Sequence, residues 1–427
     1  MQFYLKTLGC RLNEAELSLW TRKLVARGHA VTPVLDDADV AIVNSCAVTH
    51  DAARSSRRAV RRIHRHNPRT RVVVTGCLAT LEPDTVTVLP GVDLVVPNSD
   101  KGTLVEHMLQ ELLPDTMPVA AMDAPPVPLS QDRRRRAFVK VQDGCRNRCS
   151  FCVVTLARGK ERSRTIAEVV EEVNELVAAK RREVVLTGVH LGGYGSDLGT
   201  DLNSLVRAIL SETSIERLRL GSLEPWDLPP DFFSLWEDPR LLPHLHLPAQ
   251  SGSATVLRRM RRRCAPDTYT AMIDAARAQI PGLQVTTDLI VGFPGETTQE
   301  HEQTLSFVDR VGFADAHLFV WSPREGTRAA TLPDRVPRPA AKARSAELHA
   351  RIRRLRDRAL TDAIGRRDAV LIESVRPVDG RLVGRGHTRS YLPARVIGVT
   401  EADIGCVVGI SVERAESDAV WAHATAS

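Results

Sequence analysis

The stretch DGCRNRCSFCVVTLARG, residues Asp143 to Gly159, places three cysteines within eight residues: Cys145, Cys149 and Cys152. A structural zinc site normally takes four protein ligands, and a disulfide takes two. No cysteine or histidine follows closely, since the next cysteine is Cys264. Three thiolates therefore indicate a metal group that keeps one position open, and a half-built zinc site is the alternative.

Three thiolates can hold three corners of a four-iron cluster and leave the fourth iron without a protein ligand. The spacing C-x3-C-x2-C is typical of radical enzymes, in which the open iron chelates the amino and carboxylate groups of S-adenosylmethionine. An electron from the cluster then breaks a carbon–sulfur bond and releases the 5′-deoxyadenosyl radical. Phe151, the aromatic residue before the last cysteine, also fits this pattern. The loop thus predicts a radical-forming cluster.

Residues 1 to about 113 alternate short apolar runs with helical patterns, which predicts a doubly wound parallel sheet with Asn13 as the cap of the first helix. Three further cysteines, Cys10, Cys46 and Cys77, each lie at or just past the end of a predicted strand. In an open parallel sheet those ends share one edge, where ligands bind. We therefore expect the three thiols to converge, and three unrelated buried thiols are the alternative.

The remaining chain predicts a linker and two more domains. Residues 114–132 are Pro-rich and lack periodicity, as linkers do. About six strand–helix units follow in residues 133–364, too few for a full eight-fold barrel, so we expect a partial (β/α) barrel with a trailing helix. Short strands with Gly and Pro turns in residues 365–427 predict a small all-β barrel. Its segment Arg366–Arg395 has seven basic and three acidic residues, which suits an RNA backbone, although a neutral docking domain is the alternative.

The 427-residue chain has a formal net charge of +6, with arginine clusters at residues 133–136, 258–263 and 351–358 and a basic helix predicted over Ala52–His66. Basic clusters favour an anionic partner such as RNA, although exposed helical arginines are often simply solvated. The N-terminus lacks the apolar region of a signal peptide, and no run of about 18 apolar residues predicts a membrane span. We expect a cytoplasmic protein whose eight cysteines serve metal binding or catalysis rather than disulfides.

Motifs that seldom occur together are found along this sequence: KTLGCRLNEAE, NSCAVT, TGC, VQDGCRNRCSFC, LPAQSGSATVLRRM and TTDLIVGFPGET. With them the chain resembles, over essentially its whole length, the methylthiotransferases of the radical-S-adenosylmethionine superfamily. The resemblance implies an N-terminal cluster domain, a central radical domain and a C-terminal TRAM barrel. It also implies that Cys10, Cys46 and Cys77 hold a second, auxiliary four-iron cluster with one open iron. Residues that lie around S-adenosylmethionine in related enzymes correspond here to Gly188, Ser222, Glu224, Gln250, Ser251 and Asp288.

The resemblance further implies that the radical cluster generates a species that abstracts hydrogen from an inert C–H bond, while the auxiliary cluster carries the sulfur that is methylated and transferred. An electron donor and a sulfur donor are then required. Three substrates divide the family: isopentenyladenosine in tRNA, threonylcarbamoyladenosine in tRNA, and an aspartate of a ribosomal protein. The string LTGVHLGGYGSDLG, with RLGSLEP and VWSPREGT, is most similar to the threonylcarbamoyladenosine branch. The expected partner is therefore a tRNA anticodon stem-loop.

Two competing classes stay open. A non-catalytic RNA-binding protein could keep the clusters as structural staples, but it would need four ligands at each cluster and neither site offers them. A different radical enzyme, such as a methyltransferase, could bind zinc at the N-terminal thiols. About eight iron per chain would indicate two clusters, and about four iron plus zinc the second competitor. Cys264 and Cys406 have no place in the motifs and are expected to be packing residues.

Overall fold

The computed structural model describes residues 1–112, 135–416 and 418–425. The predicted linker over residues 114–132 lies outside this described part. None of the helices in the described ranges combines the length and the apolar character needed to cross a bilayer. The described chain divides into two compact units. The first contains residues 1–112 together with two later segments, Asp143–Glu161 and Ser322–Ala330, and the second contains the other described residues.

The strands of the described residues alternate with helices through most of the chain. In chain order they are β1 (Gln2–Thr7), β2 (Ala30–Thr32), β3 (Val40–Ser45), β4 (Arg71–Gly76), β5 (Val92–Val96), β6 (Arg136–Lys140), β7 (Gln142–Asp143), β8 (Arg162–Ser163), β9 (Glu183–Thr187), β10 (Arg217–Leu220), β11 (His244–His246), β12 (Gln284–Val291), β13 (Asp315–Val320), β14 (Arg367–Val378), β15 (Arg381–His387), β16 (Pro393–Ile397), β17 (Val407–Glu416) and β18 (Ala419–Ala424).

The α-helices connect these strands. In chain order they are α1 (Arg11–Ala26), α2 (His50–His66), α3 (Cys77–Leu81), α4 (Pro83–Thr87), α5 (Leu104–Leu112), α6 (Val154–Arg158), α7 (Ile166–Ala178), α8 (Leu202–Glu212), α9 (Ala254–Met260), α10 (Pro266–Gln279), α11 (Thr298–Val311) and α12 (Arg338–Thr361). The last of these is the trailing helix that the sequence predicts.

The first unit is built on a parallel sheet in the order β2-β1-β3-β4-β5. Every residue of the central strand β3 is buried, because helices cover both faces. Ala41 and Val43 point into a core shared with α2, α3 and α4. Val40 and Ile42, which alternate with them, point into a second core shared with α1 and α5. This two-sided burial confirms the predicted doubly wound sheet.

The prediction that Asn13 caps the first helix is wrong. Helix α1 begins at Arg11, and Cys10 occupies the N-cap position. Asn13 lies in the first turn with its side chain buried, where its amide Nδ2 donates a hydrogen bond of 2.7 Å to the carbonyl of Leu8. The asparagine thus satisfies a backbone acceptor of the preceding strand–helix turn rather than the amides of its own helix.

The second unit contains the predicted partial barrel. Strands β6, β9 and β10 form one parallel sheet, and β11, β12 and β13 form another. Parallel bridges from Leu218 to Leu241 and from Ser222 to His246 join the two sheets between β10 and β11. Helices α7, α8, α10 and α11 contribute to one continuous apolar core behind the six strands. The arrangement is an open (β/α) barrel with fewer strands than the closed eight-fold form.

A small closed barrel completes the second unit, with its strands in the order β14-β15-β16-β18-β17. Its interior is filled by side chains that include Val370, Ile372, Val396 and Val420. The structure thereby confirms the all-β C-terminal domain that the short strands and turns predict. Closure leaves no free sheet edge, which is how small antiparallel folds avoid unwanted strand pairing.

The small barrel docks onto the partial barrel through buried arginines. Arg217 and Arg219 donate hydrogen bonds to its backbone, and Arg219 reaches the carbonyls of Thr388 at 2.7 Å and Arg389 at 2.8 Å. Both guanidinium groups form ion pairs with Glu183, at 2.6 Å from Arg217 and 2.8 Å from Arg219. Glu183 and Arg217 are the first residues of β9 and β10, so the small barrel covers the N-terminal ends of the strands.

Tyr391 fixes the same loop in place. Its φ of +73° is in the left-handed region, which is rare for residues other than glycine. The ring is stacked between His244 and His387, with ring centroids 4.6 Å apart on each side, and the hydroxyl accepts a hydrogen bond from Arg136 at 3.1 Å. A strained backbone persists only where its surroundings dictate it. The N-terminal end of the partial barrel is thus closed, and the C-terminal end is left for ligands.

We expect the change Glu183→Gln to lower the free energy of unfolding by about 3–5 kcal/mol, because it leaves two buried guanidinium groups without a counter-charge. Burial alone would raise the pKa of Glu183, but Arg219 and Arg217 lower it to about 2 from the ordinary 4.5. The ionised carboxylate therefore stabilises the fold above pH 4.5, and this contribution is lost as the pH falls towards 2. Urea denaturation followed by circular dichroism measures the loss.

The matched control is Glu216→Gln, because the ion pair of Glu216 with Arg182 is about half-exposed. This change should alter stability by less than about 1 kcal/mol. Equal effects of the two substitutions, or an acid-unfolding profile that Glu183→Gln leaves unchanged, would contradict the assigned role of Glu183.

Candidate functional site

The three N-terminal cysteines follow three neighbouring strands of the first unit. Strands β1, β3 and β4 are adjacent and parallel, and their registers place their last residues within one position of each other. Cys10, Cys46 and Cys77 come one to three residues after those ends. The structure thus brings the three cysteines to one edge of the sheet, which is where ligands bind in open α/β folds.

Each of these cysteines also meets a helix. Cys10 is the N-cap residue of α1, and Cys77 is the first residue of α3. Cys46 is tied to α2 through Ser56, whose Oγ accepts a hydrogen bond from the Cys46 N–H and donates one to the Cys46 carbonyl, both at 3.0 Å. The N-terminal ends of helices favour negative groups, which favours thiolates at Cys10 and Cys77.

Electrostatics links the three sulfurs. Burial raises the pKa of the Cys46 thiol to about 11, and the neighbouring Cys77 and Cys10 add to the rise, while a backbone hydrogen bond from Val48 opposes it. The backbone at Gly9 also presses against Cys46, since a Cβ at Gly9 would lie 2.6 Å from Cys46 Sγ, and the φ of +98° favours glycine there. Any larger residue at Gly9 would displace the thiol.

Arg158 lies at the centre of a buried polar network beside this edge. Only 4% of the residue is exposed. Its Nη1 donates hydrogen bonds to Glu16 at 3.1 Å and to Asp143 at 3.0 Å, and its Nη2 donates to Asn13 at 2.7 Å. Burial acts against the charged guanidinium, yet Glu16 and Asp143 hold the pKa of Arg158 well above its usual range. Arg158 therefore joins the cysteine-rich loop to helix α1.

Lys101 balances the second carboxylate oxygen of Glu16. Its Nζ lies 2.7 Å from Glu16 and 2.9 Å from the side-chain oxygen of Asn44, whose amide in turn donates to Glu16 at 3.0 Å. Burial lowers the pKa of Lys101, and the Glu16 carboxylate opposes this shift. Buried charges persist in proteins when they are paired and hydrogen-bonded, as these are. The network fixes α1, β3 and the loop in one arrangement.

The loop with Cys145, Cys149 and Cys152 begins with a turn that requires glycine. Gly144 has a φ of +73°, and a Cβ there would lie 1.9 Å from the carbonyl oxygen of Lys160. The turn brings the two ends of the loop together, because the backbone N–H of Cys145 donates to the carbonyl of Gly159 at 3.1 Å. The cysteines are therefore presented from a closed loop rather than from an extended strand.

All three loop cysteines are partly exposed. The backbone N–H of Asn147 lies 3.4 Å from the Cys145 sulfur, and the N–H of Cys152 donates to the carbonyl of Cys149 at 3.1 Å. Backbone N–H groups directed at sulfur favour its thiolate form. Three accessible thiols on a closed loop fit a cluster that keeps one iron open.

Asn98 connects the two cysteine sets. Its Nδ2 donates to the carbonyl of Ala157 at 2.8 Å and lies 3.8 Å from the sulfur of Cys77. Ala157 belongs to α6, which follows Cys152 and packs against α3. Both sets of three cysteines therefore lie within the first unit, held together by short helices and buried hydrogen bonds.

The residues that related enzymes place around S-adenosylmethionine lie in the second unit. Gly188, Ser222 and Gln250 follow the C-terminal ends of β9, β10 and β11, and Asp288 lies in β12. Gln250 has a φ of +69° and donates its backbone N–H to the carbonyl of Asp288 at 2.8 Å. These four residues share the C-terminal end of the partial barrel, opposite the docked small barrel.

Ser251 and Glu224 are instead engaged by protein partners. Ser251 is buried, and its Oγ lies 3.2 Å from the hydroxyl of Thr304. Glu224 lies 2.6 Å from the guanidinium of Arg262. The two side chains hold the strand–helix connections in position, and the other four residues lie at or near the strand ends.

Two histidines that the sequence does not single out surround Asp288. His246 Nε2 lies 3.3 Å and His317 Nδ1 lies 3.0 Å from Asp288 Oδ1, and Thr286 Oγ1 lies 2.9 Å from the other nitrogen of His246. Burial raises the pKa of Asp288, but the hydrogen bonds from the histidines bring it well below its usual range. A histidine in a strand gives no sequence signal of its partner, so only the fold reveals this group.

Comparison with solved structures defines the class of the fold. The chain is similar to the radical S-adenosylmethionine methyltransferase TsrM from Kitasatospora setae, with a TM-score of 0.58 and 15% identity over 77% of this chain and 75% of that one. The Radical SAM superfamily model matches residues 139–308, and the model described as uncharacterized protein family UPF0004 matches residues 2–97. The second unit thus carries a radical-SAM fold.

Curated relatives define the family. The threonylcarbamoyladenosine tRNA methylthiotransferase MtaB of Thermotoga maritima is 36% identical over 86% of each chain. The protein of the same name from Chlamydia pneumoniae is 33% identical over 97% of this chain and 96% of its own. A tRNA-2-methylthio-N(6)-dimethylallyladenosine synthase of Paracoccus denitrificans is 33% identical over 96% of this chain and 94% of its own. The chain belongs to the radical-SAM methylthiotransferase family, as its motifs indicate, and membership implies a four-iron cluster and S-adenosylmethionine.

We expect Arg158→Met to lower the free energy of unfolding of the first unit by about 3–5 kcal/mol, because Glu16 and Asp143 would stay buried without their shared counter-charge. Urea denaturation followed by circular dichroism, together with iron content after anaerobic reconstitution, measures the effect. Arg182→Met is the matched control, since its partner Glu216 is about half-exposed, and it should cost less than about 1 kcal/mol. Equal losses in the two variants would show that the network does not hold the loop.

Proposed function

We propose that this enzyme transfers a methylthio group to carbon 2 of threonylcarbamoyladenosine next to the anticodon of tRNA, with two four-iron clusters and S-adenosylmethionine. One observation carries the proposal: two sets of three cysteines lie in one unit, linked by Asn98 and by the packing of α3 against α6. Three thiolates on a four-iron cluster leave one iron for a ligand that the protein does not supply. A cluster with a purely structural role would not need an iron without a protein ligand.

The cofactors, when bound, would supply a radical that removes hydrogen from carbon 2 and the sulfur that replaces it. The task of the chain is to hold them. Cys145, Cys149 and Cys152 would hold the radical cluster, and Cys10, Cys46 and Cys77 the auxiliary cluster. The Arg158 network keeps the loop against helix α1, so the two sites hold a fixed relation. An electron donor and a sulfur donor complete the reaction.

Four residues are proposed to bind S-adenosylmethionine: Gly188, Ser222, Gln250 and Asp288. This assignment is supported by their position at the C-terminal end of the partial barrel, where barrel enzymes bind ligands. Asp288 stays ionised beside two histidines and is therefore a strong hydrogen-bond acceptor. Ser251 and Glu224 contribute by positioning the adjoining loops.

The choice of threonylcarbamoyladenosine as the substrate rests on sequence similarity. Relatives named for threonylcarbamoyladenosine reach 36% identity, and those named for dimethylallyladenosine reach 33–34%. The string LTGVHLGGYGSDLG favours the first group. Methylthiolation of isopentenyladenosine in tRNA, or of a ribosomal protein aspartate, is the alternative within the family.

The proposed division of labour follows the sequence domains. Residues 1–113 hold the auxiliary site, residues 133–364 form the radical-SAM domain, and residues 365–427 form a TRAM barrel, with residues 114–132 as linker. The loop from Cys145 to Cys152 belongs to the second of these in sequence and to the first compact unit in packing. Because the loop packs in the first unit, two clusters held by different sequence domains could serve one reaction.

The change Cys46→Ala should separate the two halves of the chemistry. Cys46 serves only the auxiliary site, and the loop cysteines are complete without it. We expect the purified variant to form 5′-deoxyadenosine from S-adenosylmethionine under anaerobic, reducing conditions. Expressed in cells that lack the native enzyme, it should not restore 2-methylthio-threonylcarbamoyladenosine. Liquid chromatography with mass spectrometry of tRNA nucleosides and of 5′-deoxyadenosine measures both products.

Two controls bracket this experiment. Cys149→Ala should lose both products, because the radical cluster loses a corner, and Cys264→Ala should keep both. Circular dichroism must show that Cys46→Ala is folded, since ligand binding contributes to folding. A folded Cys46→Ala enzyme that methylthiolates tRNA at the normal rate would refute the two-cluster proposal. Restoration of 2-methylthio-isopentenyladenosine by the native enzyme would instead show that the proposed substrate is wrong.

A further inference from the structure

Helix α2 carries an unusual row of arginines. Five of its six arginines are exposed: Arg54, Arg58, Arg61, Arg62 and Arg65. Their spacing of four, seven, eight and eleven residues from the first confines them to about 100° of the helix circumference, along about 16 Å of its axis. We call this surface the arginine ridge.

The opposite face of α2 fixes the direction of the ridge. Ala53, Ser56, Val60 and Ile63 are buried against the first unit's sheet. The helix start is capped as well, because the Thr49 side chain accepts a hydrogen bond from the backbone of the third helical residue. The helix therefore cannot rotate without exposing its apolar face, and the ridge points outward.

The charge of the ridge is not neutralised within the described part of the chain. None of its five arginines makes an ion pair with a described residue, and only the sixth arginine of the helix, Arg57, is paired, with Glu82. Like charges three or four residues apart on a helix destabilise it by about 0.2–0.5 kcal/mol per pair. The ridge contains several such pairs, so an anion bound along it would relieve their repulsion.

The arginine clusters that the sequence highlights behave differently. In helix α12, Arg351, Arg356 and Arg358 form ion pairs with nearby aspartates. In the cluster at residues 258–263, Arg259 pairs with Glu300 at 2.7 Å, and Arg262 is buried. Those two clusters thus mix paired or buried arginines with exposed ones, whereas all five arginines of the ridge are exposed and none makes an ion pair with a described residue.

The ridge is attached to the auxiliary site. Ser56, on the buried face of α2, hydrogen-bonds both the N–H and the carbonyl of Cys46. The N-terminal end of α2 lies at the cysteine edge of the sheet, and the ridge extends from the second turn away from it. A polyanion lying along the ridge would therefore lead directly to the cysteine edge.

We propose that the arginine ridge binds the sugar–phosphate backbone of the RNA substrate and guides the strand that carries the modified nucleoside to the site. This inference rests on the proposed function. Arginine forks match phosphate oxygens better than lysine does, and α2 contains no lysine. The exposed large hydrophobic residues of the described chain do not include any on α2, whereas protein interfaces have apolar centres. RNA therefore suits the ridge better than an acidic protein does.

The test replaces three ridge residues together: Arg58→Gln, Arg61→Gln and Arg65→Gln. Affinity for an unmodified anticodon stem-loop RNA is measured by fluorescence anisotropy between 50 and 400 mM salt. Each lost phosphate contact lowers the slope of log affinity against log salt by about 0.7–0.9, so the slope should fall by about 2. The affinity at low salt should fall more than tenfold. Circular dichroism and iron content verify that the variant is folded and loaded.

The matched control removes the same charge elsewhere, with Arg353→Gln, Arg354→Gln and Arg358→Gln on the exposed side of α12. This variant should keep most of the affinity and the slope. Equal losses in both variants would show a general charge effect and overturn the ridge. Unchanged RNA binding by the ridge variant would also contradict the proposal, whether or not that variant binds an acidic redox protein more weakly. Failure of the native enzyme to bind the RNA would instead refute the proposed function.

Discussion

The site depends on the ion pairs that the buried guanidinium of Arg158 makes with two carboxylates. It follows the three-cysteine loop and pairs with Glu16 of helix α1, so residues far apart in sequence belong to one unit. A buried arginine is tolerated only when carboxylates neutralise it and hydrogen bonds satisfy its donors. That requirement acts as a positional constraint, because a displaced loop would separate the Glu16 carboxylate from the Arg158 guanidinium. Rigid placement of ligands is what a site with two cofactors needs.

The second unit uses the same physical device for a different purpose. Glu183 neutralises two buried arginines, whose remaining donors bind the backbone of the small barrel. With Tyr391 held between two histidine rings, this closes the N-terminal end of the partial barrel. The small barrel is therefore firmly packed on the partial barrel rather than loosely attached to it.

Sequence patterns predict the fold well and the site only partly. Alternation of apolar runs and helices reveals the parallel sheet, and the position of Cys10, Cys46 and Cys77 after strands reveals their common edge, because both follow from local periodicity. The burial of Arg158 was not predictable, since a charged residue in a loop looks the same whether its partner is water or a distant carboxylate. The cap at Asn13 failed for a similar reason: its side-chain oxygen, the atom that would cap a helix, accepts a hydrogen bond from Arg158, which is distant in sequence.

Charge counting shows the same limit at the surface. Sequence clusters such as residues 258–263 and 351–358 contain many arginines, but the fold brings acidic residues from other elements to several of them. Helix α2 is similarly basic, and among the residues that the structure describes only one of its six arginines has a carboxylate partner. The field outside a protein depends on the charges that remain unpaired after folding. Helix α2 is therefore a concentrated source of positive potential, although its composition differs little from that of α12. Its connection to Cys46 through Ser56 places that potential beside the proposed chemistry.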